Sequence, residues 1–236
     1  KTFTISGALE EGVITAEDTF FCDGGEQVED YYINCHAHEY GGHGTLDLSG
    51  ALEKSCNDAL MQIAAKEGVE MFDKYQILFG FGQSTNVDLP GEPSDSSLST
   101  LVYHASNMHA VELATSSFGQ GVTTSMMQVA TAFCSAINGG YYYEPSVVQR
   151  IEDDNGNIVE NRDPVLVRRT ISEDVSAEMR QFLTSVVTDG TGKKAAVEGY
   201  EIGGKTGTAE KLPRGNGKYI LSFIGFAPAN DPQVVI

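Results

Sequence analysis

Gly204-Lys205-Thr206-Gly207-Thr208-Ala209 lies inside a run, Tyr200 to Glu210, that reads as a β-strand. In a strand Lys205 and Gly207 point to one face and Thr206 and Thr208 to the other. A lysine and two hydroxyls suit an extended ligand that ends in a carboxylate, and Gly207 lets another backbone come close. Tyr219 to Pro228 reads as a second strand, joined to the first by the turn Leu212-Pro213-Arg214-Gly215-Asn216-Gly217. Upstream, Ser172 can cap a helix that runs to about Thr188, with Glu173 and Asp174 favourably placed in its first turn. Val147 to Ile151 and Ile158 to Glu160 flank Asp153-Asp154-Asn155-Gly156-Asn157, an Asn-Gly hairpin signal. Thr124 to Asn138 is periodic, with Met127, Ala130, Thr131 and Cys134 on one face, and Asn138-Gly139-Gly140 stops it. Further back, residues 80–121 are rich in Gly, Ser, Pro and Thr, which marks a long functional loop. Residues 57–79 read as two helices broken at Gly68, Asp47 to Lys54 as a short helix, 13–44 as irregular, and Thr4 to Glu11 as a helix tail. Helices come first and adjacent antiparallel strands last. The order predicts one α+β domain over 1–236, mainly helical to about residue 145 and mainly sheet beyond, with helices flanking an antiparallel sheet.

The bulk numbers narrow the function. Lys and Arg total 15 against 33 Asp and Glu, a net charge of −18, which argues against nucleic acid as a partner. An apolar share of 41% is enough for a real core. No stretch reaches the roughly 20 apolar residues that a membrane span needs. The sequence opens in a helix-like run and stops in the strand-like Gln233-Val234-Val235-Ile236, so a piece of a longer chain is expected, and the absence of a targeting signal says nothing of its location.

A second motif gives the Lys-Thr-Gly run its weight. Ser55-Cys56-Asn57 lies where two helices meet. A hydroxyl and an amide two residues apart can relay a proton and hold a substrate amide, although Ser and Asn are also ordinary helix caps. Ser-x-Asn followed downstream by Lys-Thr-Gly resembles the penicillin-binding protein transpeptidases, whose motif set also includes Ser-x-x-Lys. The likeness extends to Phe118-Gly119-Gln120-Gly121 with Thr124 and Gln128, to Gly190-Thr191-Gly192, and to Ser222-Phe223-Ile224-Gly225-Phe226-Ala227-Pro228. It is greatest to the monofunctional, class B transpeptidases of Gram-positive bacteria. The resemblance implies a β-lactamase/transpeptidase-like fold and an enzyme that cross-links peptidoglycan stem peptides through an acyl-serine, and is acylated by β-lactams. It implies no cofactor. It places the domain on the extracytoplasmic face of the bacterial membrane, held by an anchor outside this chain. Its partners would be lipid-linked precursors and stem peptides, with cell-wall synthesis or division proteins reached through regions outside the chain. A D,D-carboxypeptidase, a β-lactamase, or a non-catalytic β-lactam sensor or division scaffold are the alternatives on the same frame.

One motif departs from the family pattern. None of the lysines after Lys1 has a serine three residues before it. Thr4, Ala8-Leu9-Glu10 and Gly12 follow Lys1 as the family pattern follows the lysine of Ser-x-x-Lys. The resemblance therefore makes Lys1 that lysine, with the nucleophilic serine three residues upstream of it and no acylation expected of residues 1–236 alone. It assigns Lys1 as a base whose pKa must be lowered. Ser55 becomes the proton relay to the leaving amine, and Asn57 the holder of the substrate amide. Lys205, Thr206 and Thr208 hold the terminal carboxylate beside Gly207, and the Thr208 N–H is one oxyanion donor.

The cysteines form a separate question. Cys22, Cys35, His36, His38 and His43 fall within 22–43, while Cys134 sits on an apolar stripe and reads as a core thiol. An oxidising compartment would let Cys22 and Cys35 pair. No metal is expected, since the spacing is irregular and no C-x-x-C occurs; Cys22, Cys35, His38 and His43 would be the zinc set otherwise.

Overall fold

A computed structural model describes residues 1–211, 213 and 215–236. Leu212 and Arg214 of the expected turn lie outside the described residues. The chain begins with α1 (Thr2–Glu10), followed by four short strands, β1 (Phe20–Cys22), β2 (Gly25–Val28), β3 (Tyr31–Asn34) and β4 (Gly44–Leu46). Helices α2 (Leu48–Glu53), α3 (Asn57–Glu67), α4 (Val69–Leu78), α5 (Asp95–Leu98), α6 (Ala110–Ser117) and α7 (Met126–Ile137) come next. Strands β5 (Tyr141–Tyr143), β6 (Arg150–Glu152), β7 (Ile158–Asn161) and β8 (Leu166–Arg169) lead to the long helix α8 (Glu173–Thr188). The chain ends on β9 (Gly203–Glu210), β10 (Tyr219–Ala227) and β11 (Val234–Val235).

This is an α+β fold. Strands β11, β10 and β9 form one antiparallel sheet in that order, with β9 at its edge and Lys205 opposite Ile224. Helix α8 packs on β9 and also on α2, so it joins the sheet to the helices although it lies beyond residue 145. Most local signals correspond to observed elements. Gly68 separates α3 from α4. The Ser172 side chain accepts from Val175 N at the start of α8, and Gly156 takes the positive φ that its hairpin needs.

Residues 13–44, expected to be irregular, instead carry β1 to β4. Strand β1 pairs with β4 across the intervening β2–β3 hairpin, and Phe20 enters the main core. Similarly β5 pairs with β8 around the β6–β7 hairpin. In α7 Thr131 of the expected face is buried, but Met127, Ala130 and Cys134 are only half-buried, and the buried apolar residues are Ala132, Phe133, Ala136 and Ile137. The helix is walled on more than one side, which blurs the period that a one-faced helix shows.

The main core unites the two parts of the chain. Ile5, Leu48, Leu52, Leu60, Ile63, Phe133, Met179, Leu183 and Phe226 form one cluster. It includes Ile5 of α1, Leu52 and Cys56 at the α2–α3 turn, and Phe226 of β10, the strand paired with β9. Among the described residues no helix is long and apolar enough to cross a membrane.

Candidate active site

Ser55 occupies a strained corner. Helix α2 ends with Ser55 N–H donating to Leu52 O and Cys56 N–H donating to Ala51 O, at 3.1 and 2.9 Å. This is the paired bonding of a Schellman helix stop, which requires a left-handed residue at the turn and normally uses glycine. The end of α1 is built the same way. Gly12 N–H donates to Leu9 O and Val13 N–H to Ala8 O, each at 3.0 Å, and Gly12 has φ +64°. The sequences match: Ala8-Leu9-Glu10-Glu11-Gly12 at one end, Ala51-Leu52-Glu53-Lys54-Ser55 at the other. Where the first helix stop has Gly12, the second has Ser55 at φ +51°. Left-handed conformation costs an L-residue roughly 1–2 kcal/mol, and such strain gathers at functional positions.

Two lysines converge on that corner. Lys1 sits at the N-terminal end of α1, and its Nζ donates to Ser55 O and to Asn57 Oδ1, each at 2.6 Å. Lys205 on β9 donates from Nζ to Ser55 Oγ at 3.0 Å and to Thr206 O at 3.2 Å. The structure therefore brings Lys1, Ser55, Asn57 and Lys205 together from three separate segments. Lys205 is buried, with 9% of its surface exposed, while Thr206 and Gly207 are half-buried and Thr208 is exposed along the edge strand. The lysine thus points into the protein towards Ser55, and the threonines lie on the open side.

Burial sets the electrostatics. Desolvation, with the charge of Lys205 adding to it, pushes Lys1 down to about 7. Burial pushes Lys205 down to about 8. Near neutral pH Lys1 can accept a proton while Lys205 still carries charge.

Two segments that the sequence marked only as part of the family likeness, 118–121 and 190–192, turn out to hold the site. Thr191 N–H donates to Glu53 O at 2.9 Å, and its hydroxyl bonds Thr206 Oγ1 at 2.9 Å, tying the end of α2 to β9. Gly190 permits this, because a Cβ there would lie 2.6 Å from Glu53 Cα. Thr4 Oγ1 donates to Ser117 O at 2.7 Å, and Lys1 Nζ stands 5.8 Å from the centre of the Phe118 ring, which brings the Phe118-Gly119-Gln120-Gly121 segment beside α1. On the same side a cavity of about 200 Å³ is lined by Lys1, Thr4, Glu67, Tyr75 and Ser116 among others. Burial pushes the Glu67 carboxyl up to about 8.

The Cys and His expectations change. Cys22 and Cys35 are both buried and are not joined by a disulfide. The His43 ring meets both sulfurs, with Nδ1 at 3.5 Å from Cys22 Sγ and 3.7 Å from Cys35 Sγ. His38 does not join them; it lies on a 3-10 turn with its ring 5.5 Å from that of Tyr32. Cys56 joins instead, its Sγ 3.9 Å from Cys35 Sγ. Its place between Ser55 and Asn57 was visible in the sequence, but its approach to Cys35 depends on how 20–46 folds back onto α3.

Comparison with known proteins gives a consistent result. The family model for the penicillin binding protein transpeptidase domain matches residues 1–236. The chain is 37% identical over 241 residues to Stage V sporulation protein D of Bacillus subtilis, covering all of this chain and 36% of that one. It is 31% identical to the probable peptidoglycan D,D-transpeptidase PenA of Neisseria flavescens, covering all of this chain and 55% of that one. The apo transpeptidase domain of Burkholderia pseudomallei penicillin-binding protein 3 superposes with a TM-score of 0.84 at 30% identity, over 100% of this chain and 67% of that one. The chain thus spans between a third and just over half of the length of these curated relatives.

Proposed function

Since the chain belongs to the penicillin-binding protein transpeptidase domain family, we propose that it is the greater part of the catalytic domain of a D,D-transpeptidase that cross-links peptidoglycan on the extracytoplasmic side of the membrane. The observation that carries this reading is Ser55, clamped in a strained turn between Lys1 and Lys205, two lysines whose proton affinities burial has lowered.

Each group then has a task. A serine one helical turn upstream of Lys1 attacks the carbonyl between the two terminal D-alanines of a stem peptide. Neutral Lys1 Nζ takes its proton. Negative charge on the carbonyl oxygen is met by backbone N–H groups, that of Thr208 among them. As the tetrahedral adduct collapses, the C–N bond breaks and the leaving amine takes a proton through Ser55 Oγ. The product is an ester on the serine and free D-alanine. The amine of a second stem peptide then attacks that ester, forming the cross-link and freeing the serine. Asn57 Oδ1 accepts from Lys1, which leaves its NH₂ to hold a substrate amide. Lys205, Thr206 and Thr208 hold the terminal carboxylate, and Gly207 lets the substrate backbone lie against β9.

The test uses the protein carried with the residues encoded upstream of Lys1, a stem peptide ending in D-Ala-D-Ala, and an amine acceptor. Release of D-alanine with formation of the amide-joined product is expected. D-alanine release with only the hydrolysed peptide would make the protein a carboxypeptidase. No release from folded protein would refute the enzyme reading.

A further inference from the structure

We propose that Cys22, Cys35, His43 and Cys56 form a structural zinc site that clamps the Ser55-Cys56-Asn57 turn from behind. The four ligand atoms all lie within 4.8 Å of one another, and the three cysteines are buried. Their spacing fits a tetrahedral ion. With Zn–S about 2.3 Å and Zn–N about 2.0–2.1 Å, a regular tetrahedron has S···S edges of about 3.8 Å and S···N edges of about 3.6 Å. Three of the six edges come close to these values, 3.9 Å for Cys35–Cys56, 3.5 Å for Cys22–His43 and 3.7 Å for Cys35–His43, and the other three are within 4.8 Å. A disulfide would instead need sulfurs about 2.05 Å apart.

The surroundings are those of bound thiolates. Asn57 N–H donates to Cys35 Sγ and Ala59 N–H to Cys56 Sγ, each at 3.4 Å, and such outer bonds orient metal ligands and stabilise their charge. Three thiolates and an imidazole favour zinc over harder cations, and four protein ligands close the site to water, so its role is structural.

Four separate segments supply the ligands. Cys22 ends β1, and His43 precedes Gly44, which pairs with Cys22. Cys35 follows β3 and is pinned by its N–H to Gly24 O at 2.8 Å. Cys56 caps α3. An ion here would bind the small strands of residues 20–46 to the helix whose first residue, Asn57, faces Lys1. Those strands are only three or four residues long, and a metal gives them a fixed attachment at the catalytic turn.

The test is metal content and geometry. The protein is purified under reductant, passed over a chelating resin and analysed by mass spectrometry for zinc, with a parallel sample refilled with cobalt. One zinc per chain is expected, together with the strong d–d bands of tetrahedral cobalt and a thiolate-to-cobalt charge-transfer band. Cys56→Ala and His43→Ala should lose the metal, whereas Cys134→Ala and His38→Ala should keep it. Should the first two variants not fold, the wild-type stoichiometry and cobalt spectrum decide by themselves. The proposal is overturned by wild-type protein that holds no stoichiometric zinc and gives no tetrahedral cobalt spectrum. Loss of metal on His38→Ala with retention on Cys56→Ala would also overturn it, as would a disulfide between any two of Cys22, Cys35 and Cys56 in protein isolated without reductant.

Discussion

Replacing Ser55 by alanine and by glycine separates the two things that residue does. Both changes remove the hydroxyl that accepts from Lys205 Nζ at 3.0 Å. A hydrogen bond to a charged group contributes about 1.5–3 kcal/mol, so Ser55→Ala should destabilise by an amount in that range. Ser55→Gly loses the same bond but relieves the left-handed strain at φ +51°. That relief is roughly 1–2 kcal/mol, reduced by the greater freedom of glycine in the unfolded chain, about 0.5–1 kcal/mol. The glycine variant should therefore be more stable than the alanine variant by roughly 1 kcal/mol, about 2–4 °C in melting midpoint for a chain of this size. Gly12 supplies an internal control, because it occupies the same place in a matching helix stop and an added Cβ there meets nothing within 4 Å. Gly12→Ala should lower stability by a similar margin through backbone strain alone. Both Ser55 variants should be slow in acyl transfer, so stability and activity part company. Thermal and denaturant unfolding of the three variants checks this. Equal midpoints for the alanine and glycine variants would refute the claim that Ser55 is strained.

Three further outcomes are expected. The acylation rate of the protein carried with the serine proposed upstream of Lys1 should rise through pH about 7, as Lys1 loses its proton, and fall above about 8, as Lys205 loses its charge; a flat profile from 6 to 9 would contradict the assigned roles. Lys1 should also penalise folding in its protonated form. Below pH 7 both folded and unfolded chains carry the proton and the penalty is complete; as pH rises from about 7 towards the free-lysine value of 10.5 it disappears. Lys1→Met should therefore stabilise most at acid pH and lose that advantage at alkaline pH, read as melting temperature against pH. Gly190→Ala forces a methyl group to 2.6 Å from Glu53 Cα and should cost about 1–3 kcal/mol as overpacking does, with a matching loss of acylation as Thr191 releases Glu53 and Thr206.

The sequence was most legible where structure is local. Gly68, Ser172 and the Asn155-Gly156 pair each act within a few residues, and each marks an observed boundary. The strands of residues 20–46 were not legible, because they are three or four residues long and β1 finds its partner only after another hairpin has closed. The same holds for β5 and β8. At the site, the residue types were readable but their meeting was not. Lys1, Ser55 and Lys205 come from three elements, and only packing around Leu52, Met179 and Phe226 sets their distances. The strain at Ser55 was available in principle, since Ala51-Leu52-Glu53-Lys54-Ser55 repeats a helix stop that elsewhere ends in Gly12. Cys56 was hidden by its position inside a motif read for its neighbours, and its closeness to Cys35 is a tertiary fact.

The proposed acyl-serine chemistry is tested by treating the protein, carried with the residues encoded upstream of Lys1, with a penicillin and locating the adduct by peptide mass spectrometry. One penicilloyl group is expected on a serine three residues before Lys1, lost on Lys1→Ala and strongly slowed on Ser55→Ala. An adduct at any other residue, or folded protein that takes up no penicillin, would contradict it.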